Sequence, residues 1–362
     1  MQKKATIVDI ANVLGISTAT VHRALNGYPN VTAKTRDQVL ETAKQLGYKP
    51  NRAARLLRSS RPLRISVNTL VGNTDFWHDV HAGIEAAKQS LSLENVELEY
   101  RSYPEAGEKE LQQFQAALDA DVDGIIAFPI DPVGLEPLMR RAAHENVPVV
   151  FVATDAPNTA PLAVVSIDTM ASGSLAADIM AGALQPPTNV AVTVNAMNIT
   201  EHGEKYKAFA TTMATFYPEI NVLAAVEDHG SDAIAYDATR KLLGDHSNLG
   251  GIYVTTENST PVIRAARELG RLDKLTLVTT DLFPDLVPEI RSGAVKATIY
   301  QRPQTQGRLA FRLLYEFMDQ GSCPTPHVTF APHLVMRGNL EFFLQRVSLE
   351  AKDGETRFAQ VP

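Results

Sequence analysis

The sequence lacks the features of a disulfide-stabilised, secreted or membrane-spanning protein. Its 362 residues include one cysteine, Cys323, which excludes a disulfide framework and a cysteine-rich metal site and is typical of a reducing compartment. Asp9 and Asn12 interrupt the N-terminal stretch MQKKATIVDIANVLG, so it has no signal-peptide apolar core. No run approaches the roughly 18–20 apolar residues that span a bilayer. These absences predict a cytoplasmic protein.

The motifs of common enzymes are absent as well. The chain has no G-x-x-x-x-G-K-[ST], G-x-G-x-x-G, G-x-S-x-G or H-E-x-x-H. His78 and His81 could place two metal ligands on one helix face beside Asp79, but no partner cluster accompanies them. We therefore expect these histidines to face solvent, and the sequence predicts no catalytic residues, no metal site and no cofactor.

Net charge divides the chain into two parts. Residues 1–61, which we call the head, contain 11 Lys or Arg and 3 acidic residues, a net charge of +8. The other 301 residues contain 23 basic and 38 acidic residues, a net charge of −15. A basic head on an acidic body is typical of a protein that binds a polyanion through one domain, with chance clustering as the alternative. The length predicts two or three domains.

Three short helices are predicted in the head. They run through residue 14, over 18–25 with Ser17 as N-cap, and over 32–46. Apolar residues at helical spacing predict one small core: Ile7, Ile10, Ala11, Leu14, Ile16, Val21, Leu25, Val39, Ala43 and Leu46. Two short helices joined by a glycine-containing turn describe a helix-turn-helix, whose second helix enters the major groove of DNA. A three-helix module without a DNA role is the alternative.

The head resembles a known family of transcription regulators. The stretches TIVDIANVLGISTATVHRALNG and VTAKTRDQVLETAKQLGYKPNRAARLLR are similar to the DNA-binding head and hinge of the lac repressor/galactose repressor (LacI/GalR) family, without a break over residues 5–58. The resemblance implies a helix-turn-helix DNA-binding domain at 1–48 and a hinge helix with its linker at 49–62. It also implies double-stranded operator DNA as the partner.

The resemblance and side-chain chemistry together suggest the DNA contacts. By the resemblance, Thr18, Ala19 and His22 face base edges, and Arg23 occupies the groove-reading position. An arginine can bind guanine O6 and N7 with two hydrogen bonds, and an alanine can contact a thymine methyl group. Helix capping by Thr18 and a phosphate contact by His22 are the alternatives. Groups that contact phosphates and fix the register without reading sequence are expected at Thr6, Ser17, Thr20, Asn26 and Thr35.

The segment 49–62 is expected to bind the minor groove. Pro50 ends the preceding helix, and Asn51 can cap about two further turns, which are too few to be stable alone in water. A short basic helix of this kind suits folding on contact with DNA. By the resemblance, Leu57 wedges into a base step, and the groove is lined by Asn51, Ala54 and Arg55. An exposed basic linker is the alternative.

Beyond the head, short apolar runs alternate with helical patterns. Roughly 10–20 residues of helix-period pattern follow each run, which indicates βαβ units and parallel sheets. Nine candidate strands span residues 63–71, 96–103, 124–129, 147–153, 164–168, 190–196, 222–228, 250–256 and 275–281. Because they are too many for one sheet, two doubly wound lobes are predicted, with ligands beyond the carboxyl ends of the strands. The expected fold class is α + α/β: a helix-turn-helix head and hinge helix, then a two-lobed α/β core.

The body resembles the same family. The stretches DFWHDVHAGIEAA, DGIIAFP, VPVVFVATD, HGEKYKAF, LVTTD and GAVKATIYQRP are similar to its periplasmic-binding-protein-like core. The resemblance implies an effector-binding and dimerisation core at 63–346, followed by a polar tail at 347–362. It implies crossovers near residues 161, 292 and 324, which give these lobes: 63–161 with 294–324, and 162–293 with 325–346. It also implies a homodimer, with a tetramer as the alternative.

By the same resemblance, a small-molecule effector binds between the lobes. Phe76 and Trp77 are its apolar walls, with Lys205, Asp281 and Gln301 as polar contacts. The family usually has Arg where Lys205 stands, and other residues at the further positions carried over: Thr154, Asp155, Thr256, Glu257 and Asn258. Aromatic walls with a few polar groups suit a sugar, a polyol or a sugar derivative. Core packing of Phe76 and Trp77 is the alternative.

Together these features predict a ligand-responsive regulator of transcription, acting as a repressor. Two heads of a homodimer would read the two half-sites of an approximately palindromic operator. A ligand that prefers one closure state of the core would change the DNA affinity. The alternatives are a solute-binding protein, which the helix-turn-helix head disfavours, and an enzyme on a two-lobed α/β scaffold.

Overall fold

The chain divides into two units, one with residues 1–61 and 315–323 and the other with residues 62–314 and 324–362. The three N-terminal helices belong to the first unit, and two β-sheets belong to the second. The computed structural model describes these residues: 7–25, 31–46, 62–70, 75–104, 108–320 and 325–345.

Helices and strands alternate through the core. The described helices are α1 (Ile7–Leu14), α2 (Thr18–Leu25), α3 (Ala33–Gln45), α4 (Asp75–Ser90), α5 (Glu108–Asp119), α6 (Pro132–His144), α7 (Thr169–Ala181), α8 (Thr200–Phe216), α9 (Asp232–Asp245), α10 (Thr260–Glu268), α11 (Val287–Ser292) and α12 (Pro303–Gln320). The described strands are β1 (Leu63–Leu70), β2 (Val96–Tyr103), β3 (Gly124–Ala127), β4 (Val149–Val152), β5 (Ala163–Ile167), β6 (Thr188–Val194), β7 (Ile220–Val222), β8 (Val226–Glu227), β9 (Leu249–Val254), β10 (Thr276–Thr280), β11 (Val295–Tyr300), β12 (His327–Phe330) and β13 (His333–Val335).

The three helices of the head surround one small apolar core. Its buried side chains come from all three helices: Ile10, Ala11, Val21, Ala24, Val39 and Ala43. Gly15 turns the chain between α1 and α2 at φ +64°, a left-handed conformation that glycine adopts without strain. Ser17 caps α2, since the Thr20 amide donates to Ser17 Oγ at 3.1 Å. The predicted order of helix, turn and helix is therefore confirmed.

Two details of the head differ from the sequence prediction. Leu46, which is expected in the core, is 39% exposed because α3 ends one residue before it. Ala24, which the prediction omits, is buried instead. The side chains of Ile7 and Leu25, also predicted in this core, lie outside the described residues.

The first sheet has six parallel strands in the order β12-β5-β4-β3-β1-β2. Every residue of β3 and β4 is buried, as expected where helices cover both faces of a parallel sheet. Side chains of α5 and α6, such as Phe114 and Leu135, pack against one face together with Phe151. The strand order reverses between β1 and β3, and a doubly wound sheet leaves a crevice at that point.

The second sheet repeats this order with later strands. It runs β13-β11-β10-β9-β6-β7, and β8 also pairs with β6. Its described pairs are parallel except for β11 with β13. The order reverses between β6 and β9, and separate apolar clusters cover the two faces. The predicted fold class of two doubly wound lobes is therefore confirmed.

Three strands lie in a different sheet from the one that the expected lobe boundaries imply. β5 and β12 pair with each other in the first sheet, and β11 pairs with β10 in the second. The crossovers therefore follow Ile167, Tyr300 and Phe330, each one strand later than the expected positions near residues 161, 292 and 324. The chain leaves each parallel strand at its carboxyl end, and this is the end that borders the other lobe.

The nine predicted strands are otherwise present, with 222–228 divided between β7 and β8. The prediction omits β11, β12 and β13. The first of these lies in the quoted stretch GAVKATIYQRP, and the other two are only four and three residues long.

Helices α4 and α12 approach each other closely at two glycines. A Cβ atom added to Gly307 would lie 2.0 Å from the backbone oxygen of Val80. One added to Gly83 would lie 2.0 Å from the backbone oxygen of Gln304. Each glycine therefore admits the backbone of the other helix, and the pair holds α12 against the first lobe.

Candidate functional site

A cleft of about 540 Å³ lies between the two lobes, at the carboxyl ends of their strands. Doubly wound sheets bind ligands in this position, and the volume is in the usual range for small-molecule sites. The residues that line the cleft at or near strand ends are Leu70, Pro104, Phe128, Ala153, Asn195, Thr255, Asp281 and Gln301. The topology thus creates the cleft from both sheets.

Three aromatic rings form a wall of the cleft on the first-lobe side. The centroid of the Trp77 ring lies 4.9 Å from that of Phe76, edge to face, and 4.6 Å from that of Phe128. All three side chains are buried and line the cleft. The first turn of α4 presents two of these rings, and the end of β3 presents the third. We call these three residues the aromatic wall.

A buried polar network connects α8 with the ends of β10 and β11. The ammonium group of Lys205 pairs with Glu201, one helical turn earlier. It also donates to Thr255 O at 3.2 Å and to Gln301 Oε1 at 3.0 Å. An ammonium group has three donors, and these three partners engage all of them. The positive charge of Lys205 is therefore stabilised by partners within the protein.

Gln301 extends this network to Asp281. Its side-chain nitrogen donates to Asp281 Oδ2 at 2.7 Å, and its backbone N–H donates to Oδ1 at 3.1 Å. Burial raises the pKa of Asp281 to about 7, although the hydrogen bonds from Gln301 and the charge of Lys205 lower it. A carboxyl group with two bound donors retains lone pairs, so Asp281 can also accept from a ligand hydroxyl or ammonium group.

Two more titratable groups lie at or beside the cleft. Burial lowers the pKa of His202, which lines the cleft, to about 4, so its imidazole is neutral at pH 7. Burial raises the pKa of Asp228 to about 6. Asp228 Oδ1 accepts from the Gly230 amide at 2.8 Å, and Gly230 lines the cleft. Asp228 thus shapes one loop of the cleft wall.

Hydrogen bonds connect the two lobes across the cleft. The backbone N–H of Phe76 donates to Glu257 Oε2 at 3.0 Å. This bond places a carboxylate of the second lobe at the N-terminus of α4, where the helix dipole favours negative charge. The amide of Glu201 donates to Thr154 Oγ1 at 3.1 Å. The first of these bonds lies directly beside the aromatic wall.

The cleft brings together seven of the ten effector-contact residues proposed from the sequence: Phe76, Trp77, Thr256, Glu257, Asn258, Asp281 and Gln301. The other three do not line it. Thr154 is buried and bonded to the amide of Glu201, and Lys205 is enclosed by the polar network. Asp155 Oδ1 accepts from the amide of Ala156 at 2.7 Å. Thr154 and Lys205 therefore support the cleft from behind.

Several residues that line the cleft are not proposed from the sequence, among them Asn195, His202 and His229. Asn195 directly follows β6, so a polar residue at the end of a buried strand was an available signal. The spacing of Glu201 and Lys205, four residues apart on one helix, was a signal for their pairing. The two histidines have no local signal, because their positions depend on how α8 and the loop after β8 pack.

The structure describes part of the proposed DNA-contact set. Ser17 and Thr18 are exposed at the start of α2, and Thr20 and Thr35 are half-buried. Residues 19, 22 and 23 belong to α2, but the side chains of Ala19, His22 and Arg23 lie outside the described residues. So do the remaining members of the set, which are Thr6, Asn26, Asn51, Ala54, Arg55 and Leu57.

The two neighbouring histidines of α4 have different surroundings. His78 is exposed, as expected, but His81 is not: its Nε2 lies 2.9 Å from Thr69 Oγ1, and its ring packs 4.7 Å from that of Tyr100. Burial lowers the pKa of His81. Within the described part of the chain, no group of three or more His, Cys, Asp or Glu side chains could hold a metal ion.

Comparison with known proteins assigns both parts of the chain. Residues 6–51 match the model of the lacI family of bacterial regulatory proteins, and residues 65–322 match the periplasmic binding protein domain. The chain belongs to the lacI family. Its core is a periplasmic binding protein domain, as the resemblance implied.

Relatives and solved structures agree with this assignment. Catabolite control protein A of Priestia megaterium is 27% identical over 350 residues, which cover 91% of this chain and 97% of the relative. The HTH-type transcriptional regulator AglR of Rhizobium meliloti (strain 1021) is 39% identical over 120 residues, 32% of this chain and 33% of AglR.

Two solved structures show the fold of the core. A solute-binding protein of an ABC transporter from Agrobacterium vitis, with bound D-fucose, has a TM-score of 0.74 at 21% identity and covers 80% of this chain and 98% of its own. GanP, a glucose-galactose binding protein from Geobacillus stearothermophilus, has a TM-score of 0.72 at 22% identity and covers 78% of this chain and 99% of its own.

The lacI-type head decides between the classes of function that the core allows. The chain is a DNA-binding regulator of transcription, and its family is one of regulators. The two solved structures above share the fold of the core. Among the described residues, no helix is both long enough and apolar enough to cross a membrane.

Proposed function

We propose that this regulator is a cytoplasmic, non-enzymatic repressor that binds operator DNA as a homodimer and responds to a saccharide or polyol in the cleft. One observation carries the effector assignment: the aromatic wall of the first lobe lines a cleft to which the second lobe contributes Asp281, Gln301 and Glu257. A sugar has apolar ring faces and hydroxylated edges, and this arrangement offers partners for both.

The head supplies the DNA affinity in this proposal. Its charge of +8 favours phosphate contacts, which make binding salt-dependent. Thr18, Ala19, His22 and Arg23 read base edges from α2, while the phosphate-contact residues fix the register. The hinge helix carries Leu57 into the minor groove. Two-fold symmetry of the dimer matches an approximately palindromic operator.

The core controls this affinity through closure of the two lobes. A ligand that contacts Trp77 from one lobe and Asp281 from the other favours the closed arrangement. Because such a ligand binds one arrangement better, it shifts the population of the core and hence the DNA affinity. The coupling is reciprocal, so operator DNA changes the ligand affinity by the same factor.

The names of similar proteins support a carbohydrate ligand. One structural neighbour is a glucose-galactose binding protein, and another holds D-fucose. AglR and catabolite control protein A are regulators, which supports a regulatory use of the cleft in this chain.

Two measurements on the full-length protein test the proposal. The first is a thermal-shift screen of neutral, amino and acidic sugars and of polyols, since binding to the native state raises its melting temperature. The second is the retention of genomic DNA fragments in a gel-shift assay, with and without each sugar that stabilises the protein. We expect one sugar class both to stabilise the protein and to change DNA retention. DNA retention that no stabilising sugar alters contradicts the proposed coupling.

A variant makes this test specific to the cleft. Trp77→Ala should weaken the stabilising effect of the sugar and leave DNA retention without sugar intact, because the head is unchanged. Phe216→Ala, at an exposed position of α8 outside the cleft, is the matched control. An equal loss of sugar binding in the control contradicts the cleft as the effector site.

A further inference from the structure

We propose that the cleft takes an amino-substituted saccharide or polyol, with a protonated amine beside Glu257 and the aromatic wall, and that it rejects anionic sugars. The inference rests on the proposed function, since it narrows the ligand class of the same cleft.

Among the described residues, the cleft is lined by carboxyl groups. Six carboxyl groups line it: Asp75, Glu201, Asp232, Glu257, Asp281 and Asp285. None of the described lining residues is Lys or Arg. His202 is neutral at pH 7 because burial lowers its pKa.

Three of these carboxyl groups have a structural explanation without a ligand. Asp75 and Asp232 are the first residues of α4 and α9, where a negative charge stabilises the helix N-terminus. Glu201 pairs with Lys205. Glu257 and Asp281 also have donors within the protein, but both line the cleft, and the argument for a cationic ligand depends mainly on Glu257, which is held at the turn of α4 that carries Phe76 and Trp77.

Lys205 does not present its positive charge to a ligand in the cleft. The side chain is fully buried and does not line the cleft, and its three donors are engaged by Glu201, Thr255 and Gln301. A sugar phosphate or sugar acid would therefore meet carboxyl groups, and no Lys or Arg side chain among the described residues that line the cleft. Like charges brought together in a partly buried site repel each other, so binding of an anion is unfavourable.

Glu257 and the aromatic wall create a favourable place for a cation. The bond from the Phe76 amide holds the Glu257 carboxylate at the first turn of α4, the turn that carries Phe76 and Trp77. An ammonium group is attracted by the face of an aromatic ring, most strongly by tryptophan, and forms charge-assisted hydrogen bonds with a carboxylate. The first turn of α4 therefore offers both kinds of attraction to an ammonium group in the cleft.

Matched sugars test this inference on the full-length protein. We would measure binding by isothermal titration calorimetry at pH 7 for glucose, glucosamine and glucuronate, and for the corresponding galactose and mannose sets. In the set with the accepted stereochemistry, we expect the amino sugar to bind about tenfold or more tightly than the neutral parent. The uronate of that set should not bind measurably.

Two variants that remove the same charge test whether the preference for the amino sugar depends on Glu257. Glu257→Gln should reduce the ratio of the two dissociation constants, neutral parent over amino sugar, towards one. Glu219→Gln, at an exposed position between α8 and β7 outside the cleft, should keep the ratio of the unmodified protein.

The possible results separate this inference from the function on which it rests. A neutral sugar that binds as tightly as its amino form, or a uronate that binds, overturns the amine preference and leaves a saccharide effector in place. An amine preference that persists in Glu257→Gln overturns the role of Glu257. If no member of any set or any polyol binds, the saccharide-responsive function itself is wrong.

Discussion

Ala153 and Asp281 occupy equivalent positions in the two sheets. Each directly follows the fourth strand of its sheet, which is β4 when counted from β2 and β10 when counted from β7. Both residues have a left-handed backbone, with φ +70° and +66°. The amide of Ala153 donates to Val165 O in β5 at 2.9 Å, and that of Asp281 donates to Ile299 O in β11 at 2.8 Å. Both residues line the cleft. The lobes therefore present the same turn with different chemistry, a methyl group from one side and a carboxyl group from the other.

The carboxyl group of Asp281 predicts a pH dependence of stability. Burial raises its pKa from 3.8 to about 7 in the folded protein, so the folded state binds more protons than the unfolded state between these values. Its contribution is therefore present at low pH and is lost as the pH rises towards 7, by at most about 1.4 kcal/mol per pH unit. The free energy of unfolding of the wild type minus that of Asp281→Asn should fall between pH 5 and 7.

Urea denaturation at several pH values measures this difference, in which the other titrating groups cancel. Asp285→Asn makes the same charge change at an exposed position and separates the buried site from the effect of net charge. A difference between the wild type and Asp281→Asn that is constant over pH 5–7 contradicts the prediction.

Removal of one member of the buried Lys205–Glu201 pair should lower the free energy of unfolding more than replacement of both members by apolar residues. Lys205→Met leaves the Glu201 carboxylate buried without its partner, which should lower the free energy of unfolding by about 3–5 kcal/mol. The double variant Lys205→Met with Glu201→Leu removes both charges, so it should be more stable than Lys205→Met alone. Equilibrium unfolding in urea compares the three proteins, and equal stabilities of the single and double variants oppose this account.

The contact between α4 and α12 should not tolerate a methyl group. Gly307→Ala would place its Cβ 2.0 Å from Val80 O, so we expect a loss of about 1–3 kcal/mol in the free energy of unfolding. Gly244→Ala, near the end of α9 with no atom within 4 Å of its added Cβ, should instead stabilise the protein by about 0.5–1 kcal/mol. Melting curves of the two variants should shift in opposite directions. A shift in the same direction is evidence against the close packing described.

Arg23 should contribute to sequence discrimination more than to general DNA affinity. Its place in the resemblance is a groove-reading position, so Arg23→Ala should reduce discrimination by about 1–3 kcal/mol at one base pair. Lys34→Ala removes a positive charge from the exposed surface of α3 and should weaken binding equally for all operator variants. Fluorescence anisotropy with a set of single-base operator variants distinguishes the two patterns. A uniform loss for Arg23→Ala would mark it as a phosphate contact.

The sequence predicted the strands better than it predicted their sheets. Runs such as 147–153 and 250–256 are apolar because both faces of a parallel strand are covered, and this signal is local. The sheet that a strand joins is decided by pairing with distant residues, such as β5 with β12, about 160 residues later. The expected lobe boundaries therefore differ from the observed ones at all three crossovers.

The cleft shows the same division between local and long-range information. Phe76, Trp77 and Asp281 were proposed because the family resemblance and the strand ends indicate these positions. The resemblance proposes Lys205 as a ligand contact, but the structure encloses it through contacts with Thr255 and Gln301, which are 50 and 96 positions away in the chain. Periodicity and motifs describe neighbouring residues, so they do not predict contacts between residues that are so far apart in the chain.

The three crossovers lie together at one side of the core, after β5, β11 and β12, near one end of each strand order. The strands at the other end, β2 and β7, have no such link. The lobes therefore share a pivot along one margin, and rotation about it moves the opposite margin furthest. Gln301 directly follows β11 at this pivot. A small rotation of one lobe at Gln301 therefore gives a larger displacement at the opposite margin of the cleft.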